Sequence, residues 1–234
     1  MTRRREQQSG QASGTAVVVV ILIIITSVAG GLIWYKQQPR SMPPALNDDN
    51  GVMLLIPAGP FVHGPEKTPA VAPAFYIDRT EVTNRMYADF CRATSHPLPA
   101  GFRADQPNMP VVNISIEDAT TFAKHAGKRL PDALEWEKAY RGSEGRLYPW
   151  GNEPKTLSTQ LQIADSAPET GSPYNILHMA DNVKEFTRTL GPSPNPQVPY
   201  YQVRGGTPPW TYESVPQTWS SADTGFRCVK DPRR

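Results

Sequence analysis

The sequence predicts one membrane-spanning helix followed by a single globular domain in which short strands and capped helices are held by stiff loops. Three observations carry this. Residues 15–35 are almost wholly apolar, long enough as a helix to cross a hydrocarbon core of about 30 Å. The 234 residues include 25 prolines, far more than regular structure alone accommodates. Two capping boxes, Ser115 with Asp118 and Asp132 with Glu135, open helices that alternate with strand-like runs. A net charge of +2 with 20% charged residues is too nearly neutral for a nucleic-acid partner. Two cysteines make no disulfide framework, and four scattered histidines make no zinc site.

Residues 1–14 form a polar tail with Arg3, Arg4 and Arg5, and have no reason to fold alone. In residues 15–35 the β-branched run 17–25 would be a poor helix in water, but in lipid the backbone has no other way to satisfy its hydrogen bonds. Trp34 and Tyr35 sit where interfacial anchors belong, and the arginines ahead of the span favour a cytoplasmic N-terminus with the domain exported: a single-pass signal-anchor of the cell membrane. The alternative is a cleaved signal peptide, since Ser27-Val28-Ala29 resembles a cleavage site, but Leu32 to Tyr35 continue the apolar run beyond it. Both readings put the domain outside the cytoplasm. Residues 36–51, rich in Pro, Asp and Asn, read as a semi-rigid linker, and residues 52–234 as the domain.

Within the domain, Met53 to Ile56 and Phe61-Val62 read as strands around a glycine turn, and Phe75 to Asp78 as a third. Thr83 caps a helix with the stripe Tyr87, Phe90 and Cys91. Ser115 opens a second, which buries Ala119, Phe122, Ala123 and Ala126 and ends at Gly127. A third starts at Asp132 and stops at Gly142. Its stripe is Ala133, Trp136, Ala139 and Tyr140, with Glu135, Glu137, Lys138 and Arg141 assigned to the wet side. Leu147-Tyr148-Pro149-Trp150 is too apolar for a free loop and is expected to wedge into the core. His63 reads as a partly exposed strand end, Glu81 and Asn84 as partners of local backbone, and Lys128-Arg129 as solvated or ion-paired.

Residues 127–152, GKRLPDALEWEKAYRGSEGRLYPWGN, resemble the signature segment of the formylglycine-generating enzyme or sulfatase-modifying-factor family, which typically reads GKRLPTEAEWEKAARG and then YPWGN. The likeness runs from about Met53 to the end, through IPAGPFVHG, FYIDRTEVTNRMYADF, MPVVNISIEDA, HMADNVKEF, VRGG and GFRC. It implies a C-type-lectin-like α+β fold with little regular secondary structure, and does not by itself imply catalysis. Residues 153–172 are short where the enzymes carry a calcium-holding insertion, so that site is expected to be absent. The stretch 175–186 matches the family's GLYDMAGNVWEW with His178, Asp181 and Phe186 substituted. By the resemblance, Asn182, the carbonyl of Val183 and Glu185 would hold a structural calcium, with Asp181 either joining the ion or standing beside it. Cys228 is half of a disulfide in the family enzymes, and its partner position is Ala123 here, which leaves Cys91–Cys228 as the one bridge to consider.

The segment after RGG decides the functional expectation. In the enzymes it carries two copper-binding cysteines; here it reads TPPWTYESVPQTWSSADTGFRC, with neither, so no copper is expected. The favoured reading is a non-catalytic, membrane-anchored binding or scaffold module of the cell envelope, its aromatic loops (Trp210, Tyr212, Trp219) facing an envelope protein or glycan. The alternative is an oxidoreductase of the formylglycine-generating type or a related nonheme iron enzyme.

Overall fold

The computed structural model describes residues 44–232. The expected basic tail and membrane span, and most of the linker, lie outside the described residues, among which no helix is long and apolar enough to cross a membrane. The end of the linker is described, and it is not a spacer. Ala45–Asp48 forms strand β1, paired antiparallel with β2 (Gly51–Ile56). The turn of Asp49 and Asn50 joins two runs whose backbone groups satisfy each other better than solvent would.

Three β-units follow. In the first sheet the order is β1-β2-β5-β10, with β5 at Phe75–Asp78 and β10 at Val229–Lys230. All four residues of β5 are buried, as expected for a strand paired on both edges and covered on both faces. A hairpin of β3 (Gly59–His63) and β4 (Thr68–Ala72) stands apart. The second sheet has the order β8-β7-β6-β9, from β6 (Lys184–Leu190), β7 (Tyr200–Arg204), β8 (Tyr212–Pro216) and β9 (Thr224–Gly225); β9 is parallel to β6.

The helices are α1 (Asn84–Thr94), α2 (Ile116–His125) and α3 (Ala133–Arg141). Their caps follow the sequence. Thr83 accepts the Met86 N–H, and Ser115 and Asp118 exchange side-chain and backbone hydrogen bonds. At α3 the Glu135 carboxylate accepts the Asp132 N–H at 2.8 Å, while Thr189 of β6 accepts that of Ala133. Gly142 then ends α3 at φ 70°, a left-handed value that glycine adopts without strain.

Two apolar clusters result. α1 and α2 pack with Phe186, Val203, Val215 and Phe226 of the second sheet region. Trp136, Ala139 and Tyr140 of α3 pack on Ile56, Phe75, Ile77 and Val229 of the first. The C-terminal stretch joins them, since β9 borders β6 and β10 borders β5, which leaves Arg227 buried between the sheets.

Two expectations about side-chain placement are corrected. The polar side of α3 is not wet: Glu135, Glu137, Lys138 and Arg141 are all buried, whereas Leu134 is 43% exposed. Loops from elsewhere in the chain cover that face and answer its charges. Residues 147–150 wedge in only partly, with Pro149 buried and Leu147, Tyr148 and Trp150 half-buried, the last two stacked at 5.2 Å. Cys91 and Cys228 are both free, buried thiols, so no bridge joins them.

Candidate binding cleft

The site grows out of the last turn of α3. Glu137 and Arg141, one helical turn apart, form an ion pair at 2.8 Å with both side chains 2% exposed. Glu137 also accepts the Gly64 N–H at 2.7 Å, which ties the β3–β4 turn down over the helix. Arg141 gives three of its other four N–H donors to the carbonyls of Gly64, Gly145 and Arg146, so it orders both that turn and the loop behind its own helix. From the opposite side Arg204, at the end of β7, reaches the second Glu137 oxygen at 3.4 Å and donates to the Pro209 carbonyl at 3.1 Å. Lys138 donates to the carbonyls of Pro57 and Gly59.

Gly205 and Gly206 turn the chain sharply after Arg204, with φ of 149° and 80°. A Cβ on Gly205 would stand 3.0 Å from the Lys184 Cα, so close approach of backbone explains glycine there. The chain then passes through a cis Thr207–Pro208 peptide and places Trp210 beside Arg141, whose guanidinium lies 5.2 Å from the ring centroid. Tyr212 covers Arg204 in the same way at 5.5 Å. Beside Trp210 opens a cleft of about 290 Å³, walled by that ring and Arg141, with Lys67 and Asn152 at its edge. Trp219 does not belong to it: that ring packs edge-on against Phe186 in the core.

The residues assigned to calcium lie elsewhere, and their donors do not fit the ion. Glu185 is fully buried, and both its oxygens are taken, by the Arg227 guanidinium at 2.6 to 2.8 Å and by the Trp136 indole N–H at 2.7 Å. The Asn182 carbonyl accepts the Gln162 N–H, and its amide donates to Glu81. That leaves the Val183 carbonyl as the one oxygen of the three not so engaged, against the six to eight that calcium takes. The buried cation at this position is Arg227. The resemblance transfers residue types, but a ligand assignment also needs oxygens turned outward, which spacing does not reveal.

Asp181 is likewise engaged, with His178, whose ring sits between Asp181 (3.0 Å) and Ser166 (3.2 Å). Burial alone would lower the His178 pKa, but the Asp181 hydrogen bond and the Glu81 charge outweigh it and raise it. Ser166 donates its own O–H to the Ile163 carbonyl at 2.6 Å, which leaves its oxygen to accept from the His178 ring. This polarity is the reverse of a nucleophilic triad, in which serine donates to histidine. Glu81 meets its own backbone N–H, as expected of a partner of local backbone, but it is also held from further away. It is buried, held by Asn182 from across the fold, with its other oxygen unpartnered. Burial pushes its pKa up to about 7 against the pull of Arg227 and His178. Asn84 bonds backbone that is not local, at the Gln106 carbonyl 22 positions away. Lys128 and Arg129 are ion-paired, to Asp78 and Asp48 and to Glu135 and Asp231. His63 is half-buried at the end of β3.

The profile of the Sulfatase-modifying factor enzyme 1-like domain matches residues 38–232, most of the chain. The chain belongs to this family. A formylglycine-generating enzyme of Streptomyces coelicolor is 35% identical over 125 residues, covering 34% of this chain and 40% of that protein. An inactive C-alpha-formylglycine-generating enzyme 2 of Bos taurus is 47% identical over 53 residues, covering 22% of this chain and 18% of that one. The matched stretches thus span less than half the length of these curated relatives. Among solved structures, PvdO from Pseudomonas aeruginosa superposes with a TM-score of 0.66 at 17% identity, over 82% of this chain and all of that one. At that identity the likeness speaks for the fold alone. This sulfatase-modifying-factor domain has no cysteine between Arg204 and Arg227, and the wall of its cleft there is Trp210.

Sequence reading missed Glu137, Lys138, Arg141 and Arg204 as parts of the site. The signal was present in the i,i+4 spacing of Glu137 and Arg141 beside an aromatic-proline run that needed a face to cover.

Proposed function

We propose that this chain is a membrane-tethered, exported recognition module of the cell envelope that binds a partner protein or glycan through the Trp210 cleft and performs no oxidation. The observation that carries the reading is the replacement of thiols by an aromatic wall. The segment after Arg204-Gly205-Gly206 supplies Pro, Trp, Thr and Ser, none of which gives the soft thiolate that Cu(I) selects. Both cysteines are buried in the core, and burial raises the pKa of each, keeping them as thiols. The cleft in turn has the composition of a recognition surface: a half-buried Trp on a rigid, ion-paired base, with polar groups around it. That a mammalian relative of the same family carries the name of an inactive enzyme supports a non-catalytic role. The N-terminal apolar run supports tethering to the membrane, with the arginines before it on the cytoplasmic side.

The test has two arms. The full chain, purified in detergent, is incubated with a cysteine-containing sulfatase peptide and Cu(I), and the products are read by mass spectrometry; the peptide is expected unchanged. Immobilised full chain and its Trp210→Ala variant are then exposed to envelope extract, and the variant is expected to lose the bound species. Conversion of the peptide to its aldehyde would establish the oxidoreductase reading instead.

A further inference from the structure

Arg141, in the wall of the cleft, belongs to a buried polar patch of α3 and β7 that carries more positive charge than it has carboxylate to meet. Arg141, Lys138 and Arg204 have side chains almost wholly out of solvent. Among the described residues Glu137 is the one acid that pairs with any of them. Carbonyl oxygens solvate these cations but do not neutralise them, so three positive charges face one negative. The shortfall shows in two ways. The Nε–H of Arg204 is buried without a partner, and the pKa values of Arg204 and Lys138 are lowered, in both cases by burial, which Glu137 only partly offsets at Arg204. Lys67 adds a fourth cation at the mouth, while the nearby Glu144 is exposed and spent on Arg146. Clefts with low-dielectric walls focus the field of nearby charge, and Arg141 is the buried cation that lines this one.

Its other features suit a sugar. Trp210 offers an aromatic wall to the C–H face of a pyranose, and the space holds about one such ring. The Asn152 side-chain carbonyl is spent on the Leu147 N–H, which leaves its amide to donate to ring oxygens or hydroxyls. From this we infer that the cleft binds an acidic saccharide, the sugar ring against Trp210 and its carboxylate toward Lys67 and Arg141. The inference rests on the proposal that this cleft is the ligand face, and names the class of ligand.

Ligand-observed saturation-transfer NMR on the full chain in detergent tests it, with glucuronate, glucose and an N-acetyl-glutamate amide as probes. Glucuronate is expected to bind, glucose not, and added salt to weaken the binding. Lys67→Asn keeps a residue that tolerates the left-handed φ of 51° and is expected to weaken glucuronate roughly fivefold, the scale of one exposed charge pair. Trp210→Ala is expected to abolish it. Equal response to glucose and glucuronate, no response to either, or binding of the glutamate amide alone would overturn the inference. Trp210-dependent capture from envelope extract combined with no glucuronate binding would remove the acidic saccharide while leaving the recognition reading in place.

Discussion

Substituting Glu185 by Gln separates the two cations that could answer that carboxylate. In this structure the answer is Arg227: the pair is 0% and 1% exposed, and three guanidinium contacts lie between 2.6 and 2.8 Å. Breaking a buried pair from one side costs about 3–5 kcal/mol, because the remaining charge stays buried. Arg227 keeps the carbonyls of Asp78, Arg79 and Leu177, and Gln retains one oxygen for the Trp136 N–H, so the lower end of that range applies. For a domain of this size each kcal/mol moves the melting temperature by roughly 2–4 °C. Glu185→Gln is therefore expected to lower Tm by about 6–12 °C, and by the same amount in chelator as in millimolar calcium. Were calcium bound with Kd a hundredfold below its concentration, it would stabilise the parent by about 2.7 kcal/mol, a comparable and easily seen shift. Thermal melts followed by circular dichroism on both proteins, with and without calcium, decide the matter. A calcium-dependent rise in the parent that vanishes in Glu185→Gln would refute the argument that Arg227 occupies the place of the metal.

Three further outcomes are expected. Glu81 ionises at about 7 when folded against an ordinary 4.5, so across that interval the folded state holds the extra proton and stability falls as pH rises, by about 3 kcal/mol. The raised pKa of His178 acts in the same direction, its contribution full below the ordinary histidine value and lost as pH climbs through the raised one, whereas Asp118, Asp223 and Asp231, all lowered, withdraw stability only in stronger acid. Urea midpoints are thus expected to be higher at pH 5 than at pH 8, with the difference reduced in Glu81→Gln; identical midpoints would sink this. Removing the single acid of the buried patch of α3 and β7, Glu137→Gln, should cost about 3–5 kcal/mol, whereas Lys138→Met, which removes one of the surplus cations, should cost less; the reverse order in urea titrations would contradict the charge count. Alkylation of denatured chain without reductant should label both Cys91 and Cys228, and a doubly unlabelled species would reveal a bridge.

The segments with strong local rules were readable in the chain itself. Thr83, Ser115 and the Asp132–Glu135 box start helices where their side chains answer orphan N–H groups. Phe75 to Asp78 forms a strand, and the sequence alone shows that no cysteine lies between Arg204 and Arg227. What the sequence could not decide was which groups meet across distance. Glu137 looks like a solvent residue by helical spacing, and only the β3–β4 turn, the loop behind α3 and the end of β7, arriving from up to 73 residues away, make it the buried anchor of a cleft. Glu185 keeps the family's residue type, but its role turns on Arg227, which lies 42 positions further on and is brought in by the strand pairings of β9 and β10. The reason is physical: local hydrogen bonds and side-chain period are properties of a few neighbouring residues, whereas the sign of charge a buried group must face is set by whichever distant segment excludes water from it.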